Sequence, residues 1–199
     1  MSINKAGWNT AEYFHGYQRD LRMTKGVGRY TSNFTPPEIG SLTVDSDTKL
    51  LVFDTAYLKD KSATNHAMTP HGNPRLLGFS GIDTGEYTAS DHGGSVSLDG
   101  TGDYLMAPSG TVSSQNNSAD FNFSSGAWTW EAWGYTGSPG SPASAHWFTA
   151  RYDASNRSSL YYNSAASQIT YWSNGSARIS GPVLNANQWY HVALSSDGT

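Results

Sequence analysis

Apolar and polar residues alternate most clearly over Trp128–Tyr135 (WTWEAWGY). Trp128, Trp130, Ala132 and Gly134 share one face of an extended chain; Thr129, Glu131, Trp133 and Tyr135 share the other. A period of two is the signature of a half-buried β-strand. Shorter runs of the same kind predict strands at Lys49–Asp54, Val96–Leu98, Tyr104–Ala107, His146–Tyr152, Ser159–Asn163, Gln168–Ser173, Ala177–Ser180 and Trp189–Leu194. In the last of these, Tyr190, Val192 and Leu194 fall on one face. Asn174-Gly175 between two strand runs predicts a tight hairpin, because both central residues of a type I′ turn need positive φ. No helical period of useful length occurs. Two Gly- and Pro-rich stretches, Ala63–Ser95 and Thr136–Ala145, read as long surface loops.

Short strands punctuated by Gly, Pro, Asn and Ser predict an all-β antiparallel sandwich. The chain has 199 residues, a size that one sandwich can fill. Charged residues make up only 14% and the net charge is −4, so no basic excess exists to neutralise a phosphate backbone and nucleic acid is not an expected partner. No apolar run reaches the ~18 residues of a membrane span, so membrane insertion is not expected. The opening residues MSINKAGWNTAEYF contain no apolar signal core. Cysteine is absent, which excludes disulfides, thiolate metal sites and cysteine nucleophiles.

The two ends of the chain belong together. Ser196-Asp197-Gly198-Thr199 reads as a hairpin turn with no return strand after it, so the strand ending at Leu194 is left as an unpaired sheet edge. Residues 13–35 are strand-like and basic, and Pro36-Pro37 closes them off.

Several strings together carry a family resemblance. Thr48–Asp54 (TKLLVFD), Lys59–Ser62 (KDKS) and Gly94–Leu105 (GSVSLDGTGDYL) resemble the opening of a LamG-like, concanavalin A-like jelly roll. Trp128–Trp133 is similar to its central aromatic strand, and Trp189–Leu194 with Asp197-Gly198 to its later strand and turn. Gly16–Tyr30 and Phe34–Pro37 resemble its closing strand, in the form seen in LamG-type repeats of phage virion proteins. The resemblance therefore implies a jelly-roll sandwich that is incomplete or strand-complemented. Residues 1–37 would be closing strand, 38–47 linker, and 48–199 a jelly roll open at its C-terminal end. Tyr17, Leu21, Met23, Val27 and Tyr30 would form the assembly strand. Three arrangements satisfy this order: the window of a tandem repeat, a permuted single domain, and a strand donated to a neighbouring copy.

Candidate chemistry is sparse. Glu131 is the single carboxylate on the aromatic strand, and no E-x-D-x-x-E pattern supplies the acid pair of a glycosidase, so no catalytic residue is assigned and the chain is expected not to be an enzyme. The six histidines lack a metal-ligand spacing, and no G-x-S-x-G elbow occurs. No cofactor is assigned; calcium, which takes six to eight oxygen ligands and which the family resemblance allows as a structural ion, is the candidate, with Asp20, Asp60 and Asp103 as its ligands, against the alternative that such residues make Asx-turns. Tyr161, Tyr162, Tyr171 and Trp172, with Tyr152, are candidates for stacking on a glycan, although strand aromatics are commonly core. The N-x-S sequons at Asn116, Asn122, Asn156 and Asn174 arise from composition. The expectation is a non-enzymatic structural or adhesive module of a phage virion or extracellular fibre. Its partners would be other copies, adjacent repeats or cell-surface glycans. The alternative is a carbohydrate-binding module of a secreted or cell-surface protein.

Overall fold

A computed structural model describes residues 1–5, 12–55, 57–77, 94–108, 118–123, 125–136, 144–151 and 157–199. The strands are β1 (Ser2–Ile3), β2 (His15–Lys25), β3 (Thr48–Val52), β4 (Thr69–His71), β5 (Arg75–Leu77), β6 (Ser95–Asp99) and β7 (Tyr104–Met106), followed by β8 (Ala127–Thr136), β9 (Ser144–Arg151), β10 (Arg157–Asn163), β11 (Gln168–Ser173), β12 (Ser176–Val183) and β13 (Trp189–Asp197). They form two antiparallel sheets stacked as a sandwich, not a closed barrel. The first sheet runs β12-β11-β10-β9-β1-β7-β4. The second runs β13-β8-β2-β6-β5, with β3 also paired to β2.

Strand β8 sets the division between core and surface. Its Trp128, Trp130 and Ala132 are buried between the sheets. Trp130 meets Phe148 of β9 edge-on at 5.1 Å and Tyr171 of β11 at 6.0 Å. This is the geometry aromatic quadrupoles favour. Gly134 continues the same face and packs against Trp147 of β9. A Cβ built there would stand 2.4 Å from the Trp147 ring, so only glycine leaves room for that indole against β8.

Strand β2 occupies the interior of the second sheet. Along one edge it pairs with β8, Tyr17 opposite Tyr135 and Met23 opposite Trp130; along the other it pairs with β6 and then β3. The changeover coincides with a bulge between Arg19 and Arg22, where Asp20 adopts φ 50°. The bulge resets the alternation. Leu21 and Met23 enter the core, while Arg22 follows Arg19 onto the outer face. Tyr17, Leu21 and Met23 thus lie in β2, whereas Val27 and Tyr30 lie in the segment that leaves it.

Strand placement follows the expected pattern with three additions. β4 and β5 emerge from the stretch read as a surface loop; each has three residues and lies at a sheet margin, where Pro70 and Arg75 are tolerated. β1 has two residues, too few to show a period. The β11–β12 hairpin turns on Asn174 (φ 46°) and Gly175 (φ 91°), the two positive φ values that the Asn-Gly pair predicts. Tyr152, His92, residues 78–93 of the first expected loop and residues 137–143 of the second lie outside the described residues.

Gly134→Ala should destabilise the fold by ~1–3 kcal/mol, because Trp147 must move to admit the methyl group. Urea denaturation measures the loss, and a changed near-UV circular dichroism spectrum places it at Trp147.

Candidate functional site

Two features outside the core concentrate polar chemistry and exposed apolar surface. The first is a buried polar layer on the outer face of the second sheet. Residues 26–47 leave β2 and cross this face as a strap before entering β3. Gly26 N donates to Ala127 O (2.7 Å), Arg29 N to Thr129 Oγ1 (2.7 Å) and Tyr30 N to Ser195 Oγ (3.2 Å), tying the strap first to β8 and then to β13. At Gly28 the strap passes so close that a Cβ would lie 2.6 Å from the Ser196 carbonyl oxygen. Further on, Arg29 pairs with Asp45 at 2.5 Å and holds that carboxyl down at about 2. Gly40 N donates to Asp20 Oδ2 at 2.6 Å.

Beneath the strap, the register β2–β8–β13 aligns Arg22, Glu131 and Ala193 in one row and Arg19, Trp133 and His191 in the next. Glu131 is fully buried. It accepts from Arg22 Nε at 2.7 Å and Nη2 at 2.6 Å and from Tyr30 Oη at 2.5 Å, with His191 Nε2 at 3.3 Å. Burial alone would raise its pKa; the nearby His191 ring, the Tyr30 hydroxyl and the Arg22 charge outweigh burial and hold the carboxyl below the ordinary 4.5. Burial and the same carboxylate push the Tyr30 phenol up. In the neighbouring row Arg19 is also fully buried. Its Nε stands 3.4 Å from Asp20 Oδ2, and its guanidinium makes no hydrogen bond among the described residues. Burial lowers Arg19 and raises Asp20 from their ordinary values.

The second feature is an open flank. β12 ends the first sheet and β13 ends the second on the same side of the sandwich. Between them lies an apolar mouth of about 480 Å³, lined by Val192 and Leu194 of β13 and by Leu160, Ile169, Ile179 and Val183 opposite. Ile179 and Val183 are 52% and 63% exposed. A second cavity of about 590 Å³ shares Tyr171 and Ile179 with the mouth and continues past the end of β13, where Ser158, Ser173, Asn174 and Asp197 make it polar. The two cavities adjoin at Tyr171 and Ile179 and together border Tyr190–Asp197 of β13.

The sequence-derived candidates disperse over this framework. Asp60 accepts from the backbone amides of Leu51, Ser62 and His66 and from Ser62 Oγ, so it organises the loop after β3. Asp103 accepts from the amides of Asn73 and Asp99. Asp20 sits in the β2 bulge. Among the described residues no three histidine or carboxylate side chains converge as a metal site. Alternation divides the aromatics. Tyr162 is buried beside Leu160, while Tyr171 meets Trp128 and Trp130 and lines the groove; Tyr161 stacks on His146 at 5.1 Å on the opposite face, and Trp172 lies on that face too. The strap contacts had no signal in the sequence beyond the isolated Glu131.

No family model, no curated protein and no solved structure matches the chain. Among the described residues no helix is long and apolar enough to cross a membrane.

Arg22→Ala should cost ~3–5 kcal/mol, because it strands a buried carboxylate. Chemical denaturation measures this. Glu131 titrates lower in the folded than in the unfolded chain. Its stabilising contribution is therefore fully present above the unfolded value near 4.5 and is lost as pH falls through the folded value. The stability advantage over a Glu131→Gln variant should be largest near neutrality and should shrink below pH 4.5; a pH-independent difference would contradict the assignment.

Proposed function

We propose that this protein is a non-enzymatic structural module, a LamG-like jelly roll of a virion or extracellular fibre, that assembles by accepting a β-strand along β13. The observation that carries the reading is the open flank: a nine-residue edge strand beside a groove that is apolar along Tyr190–Leu194 and polar beyond them. An unpaired edge offers a row of backbone donors and acceptors, and an adjoining apolar mouth rewards an alternating strand that covers it. The engagement of Glu131 by Arg22 and Tyr30 supports a non-catalytic role for this buried acid. The polar end of the groove favours a second reading, glycan binding. There the aromatic ring of Tyr171 lies near Ser158, Ser173 and Asn174, which suits a sugar face and its hydroxyls.

Synthetic ten-residue peptides alternating valine and threonine, flanked by lysine, probe the strand-accepting reading. They should bind the protein at low concentration, and a Val192→Lys, Leu194→Lys double variant should lose at least tenfold in affinity while keeping its β circular dichroism spectrum. Absence of peptide binding would overturn the reading. Retention of a defined saccharide on a glycan array, lost in Tyr171→Ala, would favour the second.

A further inference from the structure

We infer that Arg19 and Trp133 hold a small monovalent anion of the halide class beneath the strap. The inference does not depend on what pairs with β13.

The polar layer is unevenly satisfied. Arg22 and Glu131 close on each other, and Lys61 pairs with Asp54. Arg19 has no such closure. It is fully buried, yet none of its three guanidinium nitrogens makes a hydrogen bond among the described residues. Its nearest carboxylate oxygen, Asp20 Oδ2 at 3.4 Å from Nε, already accepts from Gly40 N at 2.6 Å. Burial favours the neutral form of Asp20, which leaves the guanidinium charge without a full counter-ion. Buried charge left in this state is costly, and native proteins fill such places with water or an ion.

Trp133 stands opposite Arg19 on β8, so the two side chains rise from one row of the same outer face. Its Nε1 is buried and likewise has no hydrogen bond among the described residues. His191, next in the row, packs its ring against Trp133 at 5.3 Å and turns Nε2 to Glu131, so it is spent elsewhere. The backbone beside Arg19 is strained as well. Asp20 (φ 50°) donates its N–H to the carbonyl of Phe53 (φ 64°), which sets two left-handed residues that are not glycine against each other. Strain of this kind persists where the surroundings hold it in place, and it concentrates at ligand sites.

A count of donors separates an anion from water. A guanidinium and an indole together offer about six N–H groups and accept nothing. The unpartnered oxygens around Arg19 are Asp20 Oδ1 and Asp54 Oδ1, with about four lone pairs between them. Each water accepts two hydrogen bonds but donates two more, so water leaves the surplus of donors unchanged. An anion accepts and donates nothing. Sulfate or phosphate would bring more charge than one arginine balances and would need donors that the row lacks. A single halide suits two neighbouring donors on a closed face.

Denaturation of the full chain in mixtures of sodium chloride and sodium gluconate at fixed ionic strength tests the site, because gluconate is too bulky to enter it. The folded-to-unfolded ratio should rise about tenfold between ~1 and ~100 mM chloride, and bromide should act alike. Arg19→Met should abolish the dependence. Trp133→Phe keeps a ring but loses the N–H, and it should weaken chloride binding several-fold. Should Arg19→Met fail to fold, crystals of the unaltered chain grown in sodium bromide decide: anomalous density for bromide is expected against the Arg19 guanidinium and Trp133 Nε1. Stability that does not vary with chloride overturns the anion. So does an equal chloride response in Arg19→Met, or density at those nitrogens that belongs to water or to a rotated Asp20 or Asp54 carboxylate.

Discussion

The pairing of β2 with β8 is the constraint on which the other features rest. β8 presents indoles to one side and Thr129, Glu131, Trp133 and Tyr135 to the other. A partner strand must match both sides at once, and a one-residue slip would place an arginine against Trp130. β2 meets the demand because its bulge at Asp20 lets Leu21 and Met23 face inward while Arg19 and Arg22 both face outward. Were the same residues paired without the bulge, strict alternation would carry one of the two arginines into the core. The same bulge lets β2 change neighbours on its far edge, from β6 to β3.

What the sequence made legible was whatever depends on period and turn chemistry. β8, β10, β11 and β13 announce themselves by alternation, and Asn174-Gly175 by its positive φ values. β4 and β5 were hidden because three residues at a sheet margin show no period and Pro70 argues against a strand. The candidate site was less legible, for a physical reason. Arg22, Tyr30, Glu131 and His191 are brought together by three strands and a strap, with up to 169 positions between them in the chain. No local spacing encodes such a meeting. Asp60 and Asp103, by contrast, were visible as oxygen donors in turns. Their hydrogen bonds are those of Asx-type loop organisers, which use the same residues as a calcium loop.

The strap changes what the two faces of the second sheet can do. A half-exposed antiparallel sheet normally leaves its polar face to water. Here that face carries Arg19, Asp20, Arg22, Glu131 and His191, all buried. Charges in such a place are tolerable when paired, which is why Glu131 draws on both Arg22 and Tyr30. The layer works as a registration device: Tyr30 reaches Glu131 only when the strap lies in one position. Gly28 enforces the same position from the other side, since any larger residue would lift the strap off Ser196.

Closure of the outer face leaves the flank as the direction in which the second sheet can grow. The opposite flank ends in β4 and β5, three-residue strands too short to template a partner. On the open flank β12 is guarded by its own residues and β13 is not. A free edge this long is a liability for an isolated protein, because indiscriminate pairing leads to aggregation. Selection against that outcome is cheap, requiring one lysine or proline among nine positions. Its absence from β13, in a chain that guards β12, is what an edge with a regular occupant would show. The apolar mouth points the same way: Ile179 and Val183 gain from burial only when a strand beside β13 completes the wall opposite them.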